Sequence, residues 1–275
     1  MRPSPIIAIL LAATALPMST QASAQTQEQG PGPLPHDDQS GEVFAGVDYQ
    51  QGDYGTGAKV DIVSTTVGVA LRKGRVRLTA AIPYLRTTAP VDVVVSQGGL
   101  FGTPLLASGS SQTVRTSREG FGDATLQAAY DMPMAGFAAT LGGGVKLPTA
   151  SRAKGLGTGK VDYVVNAQVA RPLRGSITPF ASVGYTILGK PDGFAVRNTL
   201  SGSAGTRVAL SSQTSAVLSY SYEQSASRAL ADRQSIGVGF GIPLGHKSQL
   251  GLQGEAGLSR GAPDMKLGLR LGAGF

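Results

Sequence analysis

Residues 266–275, KLGLRLGAGF, alternate without a break. Leu267, Leu269, Leu271, Ala273 and Phe275 fall on one side of an extended chain, and Lys266, Gly268, Arg270, Gly272 and Gly274 on the other. Successive side chains of a strand point to opposite faces, so this pattern makes one apolar face and one small or charged face. A strand of a soluble sandwich can carry the same pattern, and its neighbours decide between the two settings.

Eleven further runs of this kind precede it: 43–50, 60–71, 75–85, 121–131, 136–147, 160–170, 176–188, 198–210, 214–224, 233–244 and 248–259, with the last strand taken as 264–275. Most hold 10–13 residues, whereas ordinary strands average about 5–6 and membrane-crossing strands need about 9–11. The connections alternate in length. Those at 72–74, 132–135, 171–175, 211–213 and 245–247 have three to five residues, and those at 51–59, 86–120, 148–159, 189–197, 225–232 and 260–263 are mostly longer. Short periplasmic turns and long external loops are the mark of an outer-membrane barrel. The terminal phenylalanine resembles the last strand of such barrels. The sequence therefore predicts an all-β fold, a twelve-stranded antiparallel up-and-down transmembrane barrel.

The other end of the chain points to the same envelope. Met1 and Arg2 precede an uncharged apolar run, Ile6 to Leu16, and Ala22-Ser23-Ala24 fits a signal-peptidase site. The reading is a signal peptide over 1–24, a Pro/Gly-rich segment over 25–42 and a barrel over 43–275. The apolar run is shorter than the roughly 20 residues that a spanning helix needs. Cysteine is absent, so no disulfide or cysteine-linked lipid is available. Charged residues make up 15% and glycine contributes 39 positions. Strands that face lipid on one side and water on the other produce such a balance. No Lys/Arg block with interleaved aromatics suggests a nucleic-acid partner.

The phases place Tyr49, Tyr84, Tyr163, Tyr185 and Tyr222 on the lipid face near the outer ends of their strands, and Tyr130, Phe137 and Phe275 near the periplasmic ends. Amphipathic rings favour the headgroup level, so two aromatic girdles are expected. The inward faces carry Gly, Ser, Thr, Gln and isolated charges. Arg75, Arg77, Arg207 and Arg270 face the lumen, with Lys146 and Lys266 towards the outer mouth; Asp48, Asp123, Asp162, Glu223 and Glu255 share the interior, mainly in its outer half. These are the candidate lumen and selectivity residues. Pairing across neighbouring strands is the plain alternative. Twelve strands enclose more space than eight, whose interiors side chains just fill. The loop 86–120 either folds inward or stands above the membrane as two strand tips.

Other chemistry is poorly supported. The glycine-rich stretch 153–160, AKGLGTGK, has Lys154 and Val161 where a phosphate loop requires glycine and a hydroxyl, and a strand follows it where a helix is needed. Only His36 and His246 could serve as imidazole bases, one in the leader and one in a short turn. The sequence thus indicates no enzyme, no cofactor and no metal centre.

The stretch 120–190 resembles the outer-membrane family labelled "MetA-pathway of phenol degradation". Gly122-Asp123, Lys146-Leu147-Pro148-Thr149, Gly157 and Gly159 with Lys160, Asp162-Tyr163 and Gly184-Tyr185 carry the resemblance, and Ala150 replaces the usual glycine. The resemblance implies a transporter-like barrel for small solutes, with hydrophobic or aromatic compounds as the class it suggests. A non-conducting surface barrel acting through loop 86–120 is the alternative. Expected partners are outer-membrane lipid, the barrel assembly machinery through the C-terminal strand, a small solute, and lipopolysaccharide. Arg115, Arg118, Arg152, Lys154, Lys190, Arg197, Arg228 and Arg260 on the external loops are candidates for lipopolysaccharide phosphates or for drawing in an anionic solute.

Overall fold

The structure, a computed structural model, describes residues 39–95, 105–107, 114–173, 176–212 and 214–275. The signal peptide, most of the leader (His36 included) and the central part of loop 86–120 lie outside the described residues. The strands are β1 (Gln39–Gly52), β2 (Val60–Lys73), β3 (Val76–Pro90), β4 (Val93–Val95), β5 (Leu105–Ala107), β6 (Arg115–Phe121), β7 (Ala124–Met134) and β8 (Phe137–Leu147), followed by β9 (Asp162–Ala170), β10 (Ile177–Ile187), β11 (Thr199–Ala209), β12 (Ser215–Glu223), β13 (Arg233–Pro243), β14 (Ser248–Gly257) and β15 (Met265–Gly274). No helix occurs among the described residues.

Each strand from β7 to β15 pairs antiparallel with the next in sequence, β15 pairs with β1, and β1–β2 and β2–β3 complete the ring. β6 and β7 together form one wall strand against β3. The wall is therefore a closed twelve-stranded barrel, and the short β4–β5 hairpin stands apart from it. Closure removes every edge from the wall, as a bilayer demands. Followed once around the ring, the register returns to β1 displaced by 14 residues. At about 3.3 Å per residue and about 4.8 Å between strands, that stagger tilts the strands by roughly 40° and sets a wall radius of about 12 Å.

The faces are inverted relative to a soluble protein. Val43, Val47, Val67, Leu71, Leu126, Leu141, Val165, Val183, Leu218, Val238, Leu252 and Leu267 point outward with 37–57% of their surface exposed. Polar Asp48, Ser64, Arg77, Thr125, Lys146, Ser203, Ser219 and Arg270 are buried on the inner face. Only a hydrocarbon surround makes such a surface favourable.

Two strands differ in their bounds from what the alternating pattern predicts. β1 begins at Gln39, four residues before the pattern became legible, so the barrel takes over the end of the predicted leader. The reason is Gly41: a Cβ there would collide with the ring of Phe275, which lies across it, while Gly41 and Phe275 exchange two backbone hydrogen bonds. A lipid-facing glycine covered by a distant aromatic leaves no apolar signal of its own. The fourth wall strand, expected as 121–131, reaches up to Arg115 and is broken at Gly122-Asp123. Tyr84 pairs with Phe121 but Ala81 with Thr125, so three residues of one strand oppose two of the other. Pro83 has no N–H to offer the ladder, and its carbonyl accepts from Gly122 (2.8 Å). The result is a β-bulge, which re-aims side chains locally. Phe121 stays on the outside, edge-to-face with Tyr84 at 5.5 Å, while Asp123 turns inward.

The turns at one end of the barrel run from two to six residues and the loops at the other from seven upward. β3 and β6 continue above the wall to Pro90 and Arg115. There Val93 and Val95 pack in one buried cluster with Tyr54, Val60, Ile62, Ala89 and Leu230. The described part of loop 86–120 thus combines the two arrangements, an extended ladder to Pro90 and then Val93 and Val95 packed in the cluster. Loop-to-loop contacts run round the rim: Arg118 donates to the carbonyls of Pro90 and Val93, Val95 N–H to Gly155, Arg152 pairs with Asp192, and Val196 bridges Ser227. Arg115 pairs with Asp61 and Arg197 with Asp232 (2.9 Å).

Asp232 makes the rim sensitive to acid. Burial acts to raise its carboxyl, but the Ser225 amide, the Tyr222 hydroxyl and the Arg197 guanidinium together outweigh it and hold it below the ordinary value of 3.8. A depressed carboxyl stabilises the fold above its unfolded value and loses that contribution as pH falls through the folded one. The protection of amides 224–232, their exchange relative to an unstructured peptide at the same pH, is expected to fall on acidification below 3.8, modestly because the pair is one-third exposed. Asp232→Asn should show the lowered protection at both about pH 6 and about pH 3, which bracket a carboxylate; a variant as protected as wild type at the higher pH would remove the claim.

Candidate functional site

The lumen is built in three levels. At its outer level, three strands deliver charged residues to one point. The bulge turns Asp123 inward, Lys146 is the penultimate residue of β8, and Asp162 opens β9 directly opposite Lys146 in the register. Lys146 Nζ lies 3.0 Å from Asp123 Oδ2 and 2.7 Å from Asp162 Oδ2, and all three side chains are buried. The cluster also fastens loops. Lys146 reaches Thr158 Oγ1 (3.3 Å), Asp123 Oδ1 accepts from Ala150 N–H (3.0 Å), and Asp162 Oδ1 accepts from Gly189 N–H (2.8 Å). Thr149 closes the base of the same loop, donating to Gly122 O and accepting from Ala124 N–H. A Cβ on Gly157 would stand 3.0 Å from both Asp123 oxygens and 2.6 Å from Ala150 Cβ, so that glycine lets the loop lie on the cluster. Leu156 beside it is buried with Leu85 and Ala150.

The remaining outer-level charges pair across strands. Glu255 faces Lys266 in the register, Asp48 accepts from Gln253 (2.9 Å), and Glu223 pairs with Arg233 (3.3 Å). The middle level is neutral and polar: Gln127, Asn166, Gln168, Gln253, Ser182, Ser203 and Ser219 share the inner face, and Ser182 and Ser203 hydrogen bond at 2.7 Å. The inner level is rich in arginine. Arg72 and Arg77 face each other in the register and both reach Asp131 (3.0 Å each), which also accepts from Thr140 (2.8 Å). Arg270 stacks 3.6 Å over the Phe44 ring and lies 3.8 Å from Glu42. Arg207 lies on β11 opposite Thr178.

Of the residues named from sequence, the structure joins Asp123, Lys146 and Asp162 in one cluster, brings Lys266 opposite Glu255, and keeps Asp48 and Glu223 at the same outer level. Arg77, Arg207 and Arg270 lie together at the inner level. Arg75 does not. It occupies the Gly74-Arg75 turn, is exposed, and follows a glycine in the left-handed region (φ 56°), so the reversal carries it out of the strand phase and away from the lumen. The eight aromatics named for the girdles point outward. At the loop end three of the hydroxyls are engaged: Tyr49 donates to Gln51 and Asp61, Tyr222 to Asp232, and Tyr185 accepts from Asn198. Sequence reasoning missed Arg72 and Glu42, assigned to a turn and to the leader, and Asp131, which the phase of β7 would have given. It also missed Phe44 and Phe180, apolar residues on the inward phase. Among the described residues, no group of three or more histidines, cysteines or carboxylates could hold a metal ion.

A closed twelve-stranded antiparallel wall, apolar outside and polar within, defines an outer-membrane β-barrel. The chain belongs to the family described as MetA-pathway of phenol degradation, whose family model matches residues 37–275. Among solved structures, the chain is similar to the COG4313 outer membrane channel from Pseudomonas putida F1, at 17% identity over 90% of this chain and 100% of that one, with a TM-score of 0.63. It is also similar to the translocator domain of the autotransporter NalP from Neisseria meningitidis, at 13% identity over 89% and 90%, with a TM-score of 0.52. At these identities the likeness concerns the fold. Comparison with curated proteins finds no match. The residues by which the family is recognised in this sequence, at 122–123, 146–149, 157–160 and 162–163, are largely those that build the Lys146 cluster and the loop laid over it.

Proposed function

We propose that the protein is an outer-membrane channel for the uptake of small solutes, hydrophobic or aromatic compounds among them. The observation that carries this reading is the inner face of the wall, which is lined by polar and charged residues at three levels from one end to the other. A barrel serving only as an anchor has no need of such a lining. Proteoliposomes containing the refolded barrel are expected to swell in small sugars and in aromatic acids; no permeation by any of them would sink the reading.

A second reading has its own support. Tyr54, Val93, Val95 and Leu230 meet in a dry cluster at the outer mouth, joining the β1–β2 loop and the loop after β3 to the β12–β13 loop, four and six strands away in the ring. A surface barrel acting through its long loop would use such a closed rim. Absence of permeation combined with an intact barrel would favour it.

A further inference from the structure

The charges of the lumen are sorted by height. Glu42, Arg72, Arg77, Asp131, Arg207 and Arg270 all lie within four residues of the periplasmic ends of their strands. Asp48, Asp123, Lys146, Asp162, Glu223, Arg233, Glu255 and Lys266 all lie within four residues of the outer ends. Among the described residues, the inner belt therefore joins four arginines to two carboxylates, and the outer belt five carboxylates to three cations. The two belts carry opposite net charge, separated by the neutral layer of Gln127, Asn166, Gln168 and Gln253. An anion that passes the outer belt gains attraction as it descends.

The inner belt is also shaped. A Cβ on Gly68 would collide with the Phe44 ring, so that ring lies flat against the wall and Arg270 lies flat upon it. Across the lumen, a Cβ on Gly205 would come within 2.6 Å of Phe180 Cζ, so this ring too lies against the wall. Phe180 is opposite Gly205, and Arg207 stands two residues further along the same face. The Arg270–Phe44 stack on β1/β15 and the neighbouring Arg207 and Phe180 on β10/β11 thus occupy nearly opposite walls at one level. A guanidinium presents a planar fork of donors matched to a carboxylate, and a phenyl ring beside it favours an apolar body.

We propose that the inner belt is a binding level for small organic carboxylates, with a separate point on each wall: Arg270 upon Phe44 on β1/β15, and Arg207 near Phe180 on β10/β11, the arginine taking the carboxylate and the ring its apolar body. The proposal rests on the channel reading for its purpose, but binding is measurable without transport. Saturation-transfer NMR on the folded barrel in detergent micelles uses benzoate and its neutral twin benzamide as probes. Benzoate is expected to bind at least tenfold more tightly than benzamide, and Arg207→Gln/Arg270→Gln is expected to abolish that preference. Arg207→Lys/Arg270→Lys keeps the charge without the fork and should retain only part of it. Each variant is first shown to be folded by its heat-shifted gel band; where the double Gln variant fails to fold, the two single Gln variants replace it. Equal binding of the two probes by wild type, or an undiminished preference in the Gln variants, overturns the proposal. Planar-bilayer currents separate it from the channel reading. Current without benzoate preference sinks the carboxylate level alone, and benzoate preference without current sinks the channel alone.

Discussion

Lys146→Met is expected to destabilise the barrel by about 3–5 kcal/mol, the usual cost of removing one partner from a buried ion pair. The ammonium lies between two carboxylates, at 3.0 Å and 2.7 Å, and all three groups are withdrawn from water. Without it, two buried like charges at the outer level face each other across the place of the lost ammonium, with the Ala150 and Gly189 amides still donating to them. The loop over the cluster should suffer with it, because Thr158 and Ala150 are tied to the same charges. Since the chain has no tryptophan, the loss is best read from the urea midpoint of the heat-shifted gel band. Asp123→Asn/Lys146→Met/Asp162→Asn removes all three charges together and should recover most of the loss, as replacing a whole buried ion cluster often costs little. Asp123→Asn alone leaves the directly opposed Lys146–Asp162 pair and should cost less than Lys146→Met. An unchanged midpoint in Lys146→Met would show that the cluster contributes nothing to the wall.

The wall was legible because each membrane strand must alternate along its whole length, and alternation is a local property of the sequence. Even the inward phases of Asp48, Arg77 and Arg270 follow from it. Features that depend on a second segment were hidden. Gly41 belongs to β1 only because Phe275 covers it from the far end of the chain. The bulge at Gly122-Asp123 needs Pro83 on the partner strand, and a one-residue insertion looks like any other stretch of strand. The cluster of positions 123, 146 and 162 is assembled by the register of β7, β8 and β9, which no spacing rule announces. One signal was present and unread. Val60 and Ile62 are apolar on the inward phase, which in a wet lumen marks a place where water is excluded. The residues that exclude it, Val93, Val95 and Leu230, come from loops that carry no periodicity.

Tyr54→Ala is expected to open that dry place. The ring is wholly buried among Val60, Ile62, Val93, Val95 and Leu230, its hydroxyl donates to Gln50 (3.2 Å), and burial pushes its phenol well above the ordinary range. The residue holds a left-handed backbone (φ 52°), a conformation that costs energy outside glycine and persists where packing repays it. Truncating a buried aromatic to alanine removes about 3–5 kcal/mol. Because the cluster ties loops to each other and lies above the continuous ladder, the loss should fall on the rim and leave the wall standing. A shift of about 3 kcal/mol changes the balance between packed and released forms by roughly a hundredfold. Trypsin should then cut after Arg115 or Arg118 while the heat-shifted band remains, and bilayer conductance should rise if the packed rim is what limits passage. Tyr54→Phe keeps the ring and should behave as wild type in both measurements. If Tyr54→Ala resists trypsin as wild type does, the cluster does not hold the β3–β6 extension against the mouth. If instead the rim is released and conductance stays the same, passage is set deeper in the barrel, where the inner arginines stand.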